Sequence, residues 1–397
     1  MKKMCRKVVS LLLAAVMVLT MTAFASVVYA ADEDSVEADP NFKMGVILVG
    51  DETEGYSAAH IAGVKEAAKE LGLDDSQIIW KYKVPEDSSC YDAAIDLVGQ
   101  GCSLVIGNSY GHQTYLVQAA QEYPDVTFVS MTGDFAAISG CENFKNAFTN
   151  IYESRYVSGV VAGLKLNEMI ENGDIKEDQT KIGYVGAYPY AEVKSGYTAF
   201  FLGVRSVCPS ATMKVIYTNS WASIDLEKEA AESLIADGCV LISQHADTTG
   251  ASTACEKAGV PIVGYNVSMI ATAPTQALTS ASIDWGPYYT YAVKSVIDGT
   301  KIDTDWCKGY DDKITELNDK AIAKGTKEKV KEVEDAIKDG SLHVFDTSTF
   351  TVDGKELDSW KDDNGNEYIK DGYFHESELH SAPAFAINID GIESVEK

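Results

Sequence analysis

The chain alternates short apolar runs with helical repeats of apolar residues, and this alternation constrains its fold more than any other feature. Val46–Val49 is an uninterrupted apolar run, the turn-rich and acidic loop Gly50–Ser57 follows it, and apolar residues then recur at helical spacing from Ile61 to Leu71. Strands that are apolar throughout are covered on both faces, so the alternation predicts a parallel, doubly wound α/β sheet. Ligands of such sheets bind beyond the carboxyl ends of the strands, which places Tyr56 beside the expected site.

The same alternation occurs twice along the chain. In the first half we predict strands at Ile78–Val84, Leu104–Ile106 and Val126–Met131, and helices at Ala58–Leu71, Tyr91–Gly99 and Gln113–Glu122. In the second half we predict strands at Lys181–Val185, Met213–Tyr217, Val240–Ser243 and Pro261–Gly264, and helices at Ala191–Val207, Leu226–Ala236 and Gly250–Ala258. The letters repeat as well, because YDAAIDLVGQGCSLVIGNSYG from Tyr91 matches KEAAESLIADGCVLISQHADT from Lys228, with Cys102 falling on Cys239. We interpret this as an internal duplication with one lobe per repeat.

Segments outside the two repeats suggest how the lobes are connected. A helix at Tyr152–Gly173 is the predicted first crossover, and a strand at Ala277–Ile283 is predicted to return the chain to the first lobe before a helix at Tyr288–Ile297. A further helix is predicted at Lys327–Ile337. We therefore divide the chain into residues 1–30 (signal peptide), 31–42 (linker), 43–150 with 282–325 (N-terminal lobe) and 151–281 with 326–397 (C-terminal lobe). The irregular extension from His343 is expected to pack on the surface of the second lobe.

The first 30 residues read as a targeting segment. Basic residues between Lys2 and Lys7 precede an apolar run from Val8 to Ala30 that ends in small residues. This pattern predicts a secretory signal peptide, with cleavage after Ala30 favoured over cleavage after Ala25. The alternative is an uncleaved membrane anchor, since the run is nearly long enough to span a bilayer. Cys5 precedes the apolar run, so no lipid-attachment cysteine follows it, and we expect an exported protein at the cell surface, outside the cell or in the periplasm.

Charge and cysteine usage exclude several classes of function. The net charge is −27, and removal of a basic signal peptide makes it more negative, which argues against nucleic acid and anionic membrane surfaces as partners. The cysteines beyond Cys5 form no C-x-x-C pair, so we predict no metal site, redox site or cofactor. Cys102 and Cys239 lie in apolar strand contexts, which favours buried and inert thiols.

One pattern suggests an enzyme. Gly107–Gly111 matches G-x-S-x-G between a predicted strand and a predicted helix, with Ser109 as the nucleophile. Asp134 and His245 are the acid and base that could complete a triad. The chain has no HGGG-type oxyanion segment, and the duplicate loop carries Ala246 where Ser109 stands, so a secreted serine hydrolase remains only the alternative.

Two motifs resemble metal sites and do not meet their requirements. His375 and His380 are five residues apart, and side chains at that spacing do not share a helix face. The segment Asp362–Glu367 is similar to a calcium loop, but Trp360 stands where the first ligand is needed. We interpret the latter as a solvated turn.

Aromatic residues that follow predicted strands give a stronger signal. They are Tyr56, Tyr110, Tyr188, Trp221, Tyr265 and Trp285. The duplication places Asn108 and Ser109 on one wall of an inter-lobe cleft, opposite the loop Gln244–Asp247, and such clefts are preferred ligand sites. Each aromatic residue taken alone could instead cap a core; as a set they favour a planar ligand. The candidate ligand-binding residues are Tyr56, Asn108, Ser109, Asp134, Tyr188, Trp221, Gln244, Asp247, Asn266 and Trp285.

The chain resembles the basic membrane protein family of ABC-transporter substrate-binding proteins, which includes purine nucleoside receptors. The resemblance covers most of residues 43–300 and rests on the opening strand and its loop, on YPDVTFVSMTGD, NAFTNIYESRYVSGVVAGLKLNEM, KIGYVGAYPYAEVKSGYTAFFLGVRS and GCVLISQHADTTGASTACEKAGVPIVGYN. It implies a type I periplasmic-binding-protein fold, with two lobes joined by a multi-strand hinge. It also implies that a purine nucleobase or nucleoside is held between aromatic residues.

The residue correspondence with the family includes several departures. The family's first-loop aromatic matches Tyr56 and the turn of its second lobe matches Asp247. The departures are Glu52 and Thr53 for an Asn-Asp pair, Thr132 with Asp134 two residues later for a carboxylate, Asn266 for an Asp, and the region of Asp284 and Trp285 for a Lys. These changes affect the sugar-binding side and argue against a ribose-bearing ligand, while the additional Trp residues favour a base or another planar heterocycle.

We therefore predict an exported, non-enzymatic solute-binding protein that acts as a monomer and passes its ligand to an ABC permease. Tyr56 is expected to stack on the ligand together with Trp221 or Trp285, while Asp247 and Asn266 contact its polar edge. A sensor that presents a ligand to a membrane receptor would share this fold, and the sequence does not separate it from a transport protein.

Overall fold

Two parallel six-stranded sheets form the framework of the protein, for which a computed structural model describes residues 39–308 and 314–395. The strands of the two repeats are β1 (Met44–Ile47), β2 (Ile78–Lys81), β3 (Leu104–Gly107), β4 (Thr127–Met131), β5 (Phe144–Thr149), β6 (Lys181–Gly186), β7 (Thr212–Tyr217), β8 (Leu241–Gln244), β9 (Ile262–Tyr265) and β10 (Ala277–Ala281). Four later strands are β11 (Asp305–Lys308), β12 (Ile369–Lys370), β13 (Tyr373–Phe374) and β14 (Ile392–Val395). The helices are α1 (Gly55–Leu71), α2 (Ser88–Gly99), α3 (Gln113–Glu122), α4 (Ile151–Glu171), α5 (Ala191–Val207), α6 (Ile224–Ala236), α7 (Gly250–Ala258), α8 (Gly286–Ile297) and α9 (Thr326–Lys338).

The two sheets have the same strand order, as the duplicated sequence predicts. The first sheet runs β2-β1-β3-β4-β5 with β11 beside β5, and the second runs β7-β6-β8-β9-β10 with β14 beside β7. All pairings within these sheets are parallel. The prediction of two doubly wound lobes is confirmed. Strands β5, β11 and β14 were not predicted, because their sequences, FKNAFT, DWCK and IESV, mix polar and apolar residues and form no apolar run.

Three connections pass between the lobes. The chain leaves β5 and enters α4, whose residues Val157 and Val160 are buried in the core of the second lobe. After β10 it enters α8, which packs against α1. Lys308 then ends a strand of the first sheet, while Ile314 pairs with Ala281 in the second. The exact lobe boundaries remain a prediction.

The strand predicted at Ala277–Ile283 lies in the second lobe, from which it leads the chain back to the first. Its observed counterpart β10 pairs in parallel with β9, through Ala277 with Ile262, and so belongs to the second sheet. All five residues of β10 are buried, because this edge is covered by helix α4 and by the segment that begins at Ile314. The return to the first lobe occurs in the residues that follow β10.

Helix α1 shows how the sequence sets local structure at the mouth of the first lobe. Its N-cap is Glu54, whose carboxylate accepts hydrogen bonds from the backbone N–H groups of Tyr56 and Ser57. The helix ends at Gly72, which adopts the left-handed conformation with φ of 67°, as predicted for a C-terminal stop. The cap fixes Tyr56 at the first turn, directly beyond β1.

The C-terminal extension is part of the core of the second lobe, so the expectation of a surface extension was wrong. Five of its aromatic residues are buried there: Phe345, Phe350, Tyr368, Phe374 and Phe385. The rings of Phe345 and Phe385 stack with centroids 4.4 Å apart. These rings come from outside the second repeat, and their burial removes a large apolar area from water.

The predicted signal peptide and the linker as far as residue 38 lie outside the described residues. Within the described ranges, no helix is long and apolar enough to cross a membrane. No disulfide links the cysteines of these ranges. Cys102 and Cys239 are buried as predicted, and burial raises the pKa of each thiol to about 11.

Candidate functional site

A cavity of about 350 Å³ lies between the two lobes, at the carboxyl ends of both sheets. The first lobe contributes Val49, Tyr56, Ser109, Tyr110, Thr132, Asp134 and Phe148 to its lining. The second lobe contributes Tyr190, Ala191, Glu192, Trp221, His245, Asp247 and Tyr265. Two further lining residues, Ala382 and Pro383, come from the C-terminal extension. Its volume suits a small planar molecule.

The wall formed by the first lobe is an aromatic stack. Tyr56 lies edge-on to His60, with ring centroids 4.5 Å apart, and His60 stacks on Trp285 at 4.3 Å. Trp285 also contacts Phe148, which lines the cavity itself. Trp285 is 1% exposed and does not line the cavity. Trp285 packs against Gly63, where a Cβ atom would overlap the Trp285 side chain. It therefore lies behind Tyr56 and not at the cavity, where we predicted it to contact the ligand.

The wall formed by the second lobe is a more open aromatic cluster. Tyr188 stacks on Tyr190 with centroids 5.2 Å apart, and Trp221 lies edge-on to Tyr188 at 5.1 Å. Tyr190 and Trp221 line the cavity, whereas Tyr188 lies behind them. Across the cleft, the ring of Tyr110 approaches that of Tyr190 to 6.2 Å. These two tyrosines close one side of the cavity.

A carboxyl pair joins the lobes on another side. The backbone N–H of Gly55 donates to the carbonyl oxygen of Asp247 at 2.9 Å, and the side chains of Glu54 and Asp247 hydrogen bond to each other. Asn266 donates from Nδ2 to Oδ1 of Asp247 at 2.6 Å. Burial, together with the negative charge of Glu54, raises the pKa of Asp247 well above its usual range. Burial raises the pKa of the Glu54 carboxyl as well, so we expect the pair to share a proton, and we assign it to Asp247 as the donor to Glu54.

A buried arginine, Arg155, packs behind the wall formed by the second lobe. Arg155 of α4 donates to the carbonyl oxygen of Gln244 at 2.8 Å and lies 3.5 Å from the ring centroid of Tyr265. Its other terminal nitrogen is 3.1 Å from Nδ1 of His245, whose Nε2 lies 2.8 Å from the carboxylate of Glu192. Burial lowers the pKa of His245, so the ring is neutral, accepts from Arg155 and donates to Glu192.

Three buried polar atoms of lining residues have no hydrogen-bond partner among the described residues. They are the hydroxyl of Tyr56, Oδ1 of Asp134, whose other oxygen accepts from the hydroxyl of Tyr110 at 3.1 Å, and the indole Nε1–H of Trp221. Because unpaired buried polar groups are costly, an acceptor on one lobe and a donor on the other indicate a ligand that supplies both partners.

Half of the predicted site residues lie at the cavity and the other half support it. Those at the cavity are Tyr56, Ser109, Asp134, Trp221 and Asp247, and those behind it are Asn108, Tyr188, Gln244, Asn266 and Trp285. Asn108 accepts from the N–H of Val49 and donates to the hydroxyl of Ser57. Gln244 donates to the carbonyl oxygens of Ala246 and Thr248. These hydrogen bonds stabilise the two loops, and they engage the polar atoms of both side-chain amides.

The hydrolase alternative requires a triad that the structure does not assemble. The hydroxyl of Ser109 donates to Glu86 at 2.6 Å, and the same carboxylate oxygen accepts from the N–H of Gly111. His245 is engaged by Arg155 and Glu192 on the opposite wall. The hydroxyl of Ser109 therefore bonds to a carboxylate and not to His245, the base that the triad requires.

Several lining residues were not among the predicted site residues. Tyr190 lies in the loop after β6, the same loop that suggested Tyr188, and Glu192 lies in the first turn of α5. The sequence does not say which of these side chains faces inward. Thr132 and Phe148 follow or end strands of the first sheet in the same way. No sequence signal identifies Ala382 and Pro383, because nothing local marks an irregular segment as part of a distant cavity.

A family model described as ABC transporter substrate-binding protein, PnrA-like (Bmp), matches residues 44–344. A purine-binding protein of Brucella abortus is 31% identical over 324 residues, which cover 81% of this chain and 88% of that protein. A putative ABC transporter glucose-binding protein of Haloferax volcanii is 31% identical over 277 residues, which cover 69% of this chain and 66% of that protein.

The fold is also found in solved structures. The crystal structure of a solute-binding protein of an ABC transporter system from Aeropyrum pernix superposes with a TM-score of 0.65 at 15% identity, covering 79% of this chain and 94% of that chain. At this identity the similarity establishes the architecture alone. The predicted type I periplasmic-binding-protein fold is thereby confirmed.

Proposed function

The chain belongs to the Bmp family of PnrA-like ABC transporter substrate-binding proteins, and on that premise we propose that it binds a purine nucleobase between its lobes. Substrate-binding proteins of ABC importers act outside the cytoplasm and deliver a small molecule to a membrane permease. The ligand, the residues that contact it and the monomeric state belong to this proposal. The named purine-binding relative from Brucella abortus supports the choice of ligand class.

The complementary pair of unpaired polar atoms carries the proposal. Asp134 offers a hydrogen-bond acceptor from the first lobe and Trp221 offers a donor from the second, among the rings of Tyr56, Tyr110 and Tyr190. A purine base has a flat apolar face, N–H donors and ring-nitrogen or carbonyl acceptors on its rim. It would satisfy both atoms at once while its faces contact the aromatic rings.

The polar groups on the remaining sides favour a base over a nucleoside. Asp247, Asn266 and Glu54 already bond to one another, and Glu192 is engaged by His245. A ribose brings three hydroxyl groups that each need a partner when buried. Beyond Tyr56, Asp134 and Trp221, no lining residue among those described has a buried polar side-chain atom without a partner, so a buried ribose would find few partners.

Contacts across the cleft connect ligand capture with delivery. Gly55 bonds to Asp247, and Tyr110 meets Tyr190, so both lobes are held together around the cavity. A ligand that binds both walls would stabilise this arrangement over one in which the lobes are apart. We propose that the permease recognises the arrangement in which both lobes are in register. Ester turnover is not expected, given the position of Ser109.

A thermal-shift panel tests the ligand class. The purified protein is heated with adenine, guanine, hypoxanthine, xanthine, the matching nucleosides, glucose and amino acids. We expect the largest rise in melting temperature from a nucleobase, a smaller one from its nucleoside and none from glucose or amino acids. Glucose is included because one relative is named for it. A shift with glucose and none with any purine would refute the proposal.

Matched variants test the residues. Trp221→Phe removes the indole N–H and retains an aromatic ring, and Asp134→Asn replaces one carboxylate oxygen. We expect each to reduce the shift caused by the best nucleobase. The controls are Trp80→Phe on the edge strand β2 and Asp92→Asn on the exposed side of α2, both away from the cavity. Equal shifts in site and control variants would exclude these contacts.

A further inference from the structure

The cavity has a third wall that belongs to neither repeat. Ala382 and Pro383 line it together with residues of both lobes, although they lie far along the chain. They also lie beyond residue 344, where the match to the family model ends. The two repeats therefore leave one side of the cavity to a segment outside the part of the chain that matches the family model.

This segment is attached to the first lobe immediately before the wall. The backbone N–H and the hydroxyl of Ser381 both donate to Oδ1 of Asp305, at 3.1 and 3.0 Å. Asp305 begins β11, the edge strand of the first sheet. Ser381 is fully buried, so water does not compete for these bonds.

The segment is attached to the second lobe immediately after the wall. The backbone N–H groups of Ala384 and Phe385 donate to one carboxylate oxygen of Glu376, at 3.1 and 2.9 Å. Phe385 is fully buried in the core of the second lobe and stacks on Phe345. Ala382 and Pro383 therefore lie between two anchors, one on each lobe, and the proline ring restricts the backbone further.

We propose that Ala382 and Pro383 determine ligand specificity, by forming a fixed apolar wall that limits the size of the ligand. The side chains of the wall are a methyl group and a pyrrolidine ring, which offer no hydrogen bond to a polar substituent. Because both ends are anchored, a larger ligand cannot displace it without breaking buried hydrogen bonds. This inference rests on the proposed function and refines it, since such a wall admits an unsubstituted base and disfavours a base that carries a sugar.

Calorimetric titration of two matched variants with the best nucleobase tests the wall. Ala382→Leu adds bulk to the cavity, and Ala323→Leu adds the same bulk at an alanine that is equally exposed, at 6%, and does not line the cavity. We expect Ala382→Leu to weaken binding at least about tenfold, and Ala323→Leu to change it less than about twofold. Ala382→Gly, which enlarges the cavity, is expected to bring the affinities for nucleoside and nucleobase closer together.

Hydrogen exchange on the unmodified protein provides a readout that needs no variant. The amides of Ser381, Ala384 and Phe385 are expected to exchange more slowly when the nucleobase is bound, because the ligand presses on the wall between the anchors. Unchanged exchange there, or equal affinity in Ala382→Leu and the wild type, would overturn the inference while leaving the proposed function intact. Failure of the wild type to bind any purine would instead overturn the proposed function, and this inference with it.

Discussion

The two lobes share one strand order but present different walls to the cavity. In the first lobe, Tyr56 rests on a fully buried stack formed by His60 and Trp285. In the second, Tyr190 remains 47% exposed and Trp221 keeps an unpaired N–H. The duplicated sheets therefore fix where the loops lie. The residues that pack behind each loop decide whether its aromatic ring is a rigid support or an open contact surface.

Removing Trp285 should have the largest effect on stability. It is almost fully buried and contacts His60, Phe148 and Tyr56, so Trp285→Ala is expected to lower the free energy of unfolding by about 3–5 kcal/mol. Urea unfolding measures this loss. The control is Trp80→Ala on the half-buried edge strand β2, which should lose clearly less. A smaller loss for Trp285→Ala than for this control would contradict the view that the first wall is a rigid support.

The pH dependence of stability should change when Glu376, which anchors the wall formed by Ala382 and Pro383, is made neutral. Burial raises the pKa of Glu376 to about 7 from the value of 4.5 expected in the unfolded chain. The native state then holds this proton more tightly, so its contribution is complete below pH 4.5 and is lost as the pH rises to about 7. We expect Glu376→Gln to remove about 2–3 kcal/mol of that decline between pH 4.5 and pH 8.

Urea unfolding at pH 4.5, 6 and 8 measures the decline. Glu227 has a pKa raised by burial to about 7 as well, so the wild type and the variant share its contribution and their difference isolates Glu376. Glu356→Gln, an exposed position in the same extension, is the control. A variant whose stability falls with pH as steeply as that of the wild type would contradict the assignment.

Trp221→Ala should affect mainly ligand binding, whereas Trp285→Ala should affect mainly the free energy of unfolding. Trp221 is only half-buried and lines the cavity, so we expect about 30-fold weaker binding of the nucleobase, or about 2 kcal/mol. Its effect on the free energy of unfolding should be smaller than that of Trp285→Ala. Calorimetric titration gives the affinity. If the two variants reduce affinity and stability in the same proportion, the inference that the two walls have different roles is contradicted.

The smallest effect is expected for Asp247→Asn. Asp247 is protonated in the folded protein, and an asparagine can donate to Glu54 and accept from Asn266 in its place. We expect a change of less than about 1 kcal/mol in the free energy of unfolding at pH 6, whereas Asp247→Ala should cost about 1–3 kcal/mol. Equal losses in the two variants would mean that Asp247 is ionised.

Periodicity predicted most of the fold, because the strands and helices of each repeat are specified locally. Helix α5 was predicted with its observed bounds, Ala191–Val207, and the match of Cys102 with Cys239 predicted two sheets of equal order. Strands β11 and β14 were missed because DWCK and IESV contain charged and polar residues and form no apolar run. The aromatic residues of the C-terminal extension likewise gave no sign that they fill the core of the second lobe.

The site was predicted less completely than the fold. The rule that ligands bind at the carboxyl ends of strands selected the correct loops, including those of Tyr56, Asp134 and Trp221. It could not choose between Tyr188 and Tyr190, since the direction of a side chain in a loop depends on the backbone path. It placed Trp285 at the cavity because Trp285 follows a strand, whereas packing against Gly63 turns it into the interior.

The central claim is that a purine nucleobase binds between the two walls, and calorimetric titration of the unmodified protein tests it most directly. Adenine, guanine, hypoxanthine and xanthine are titrated in turn, followed by their nucleosides and glucose. We expect one-to-one binding of at least one nucleobase, with weaker binding of the matching nucleoside. Saturable binding of glucose or of nucleosides alone, with no heat from any nucleobase, would contradict it.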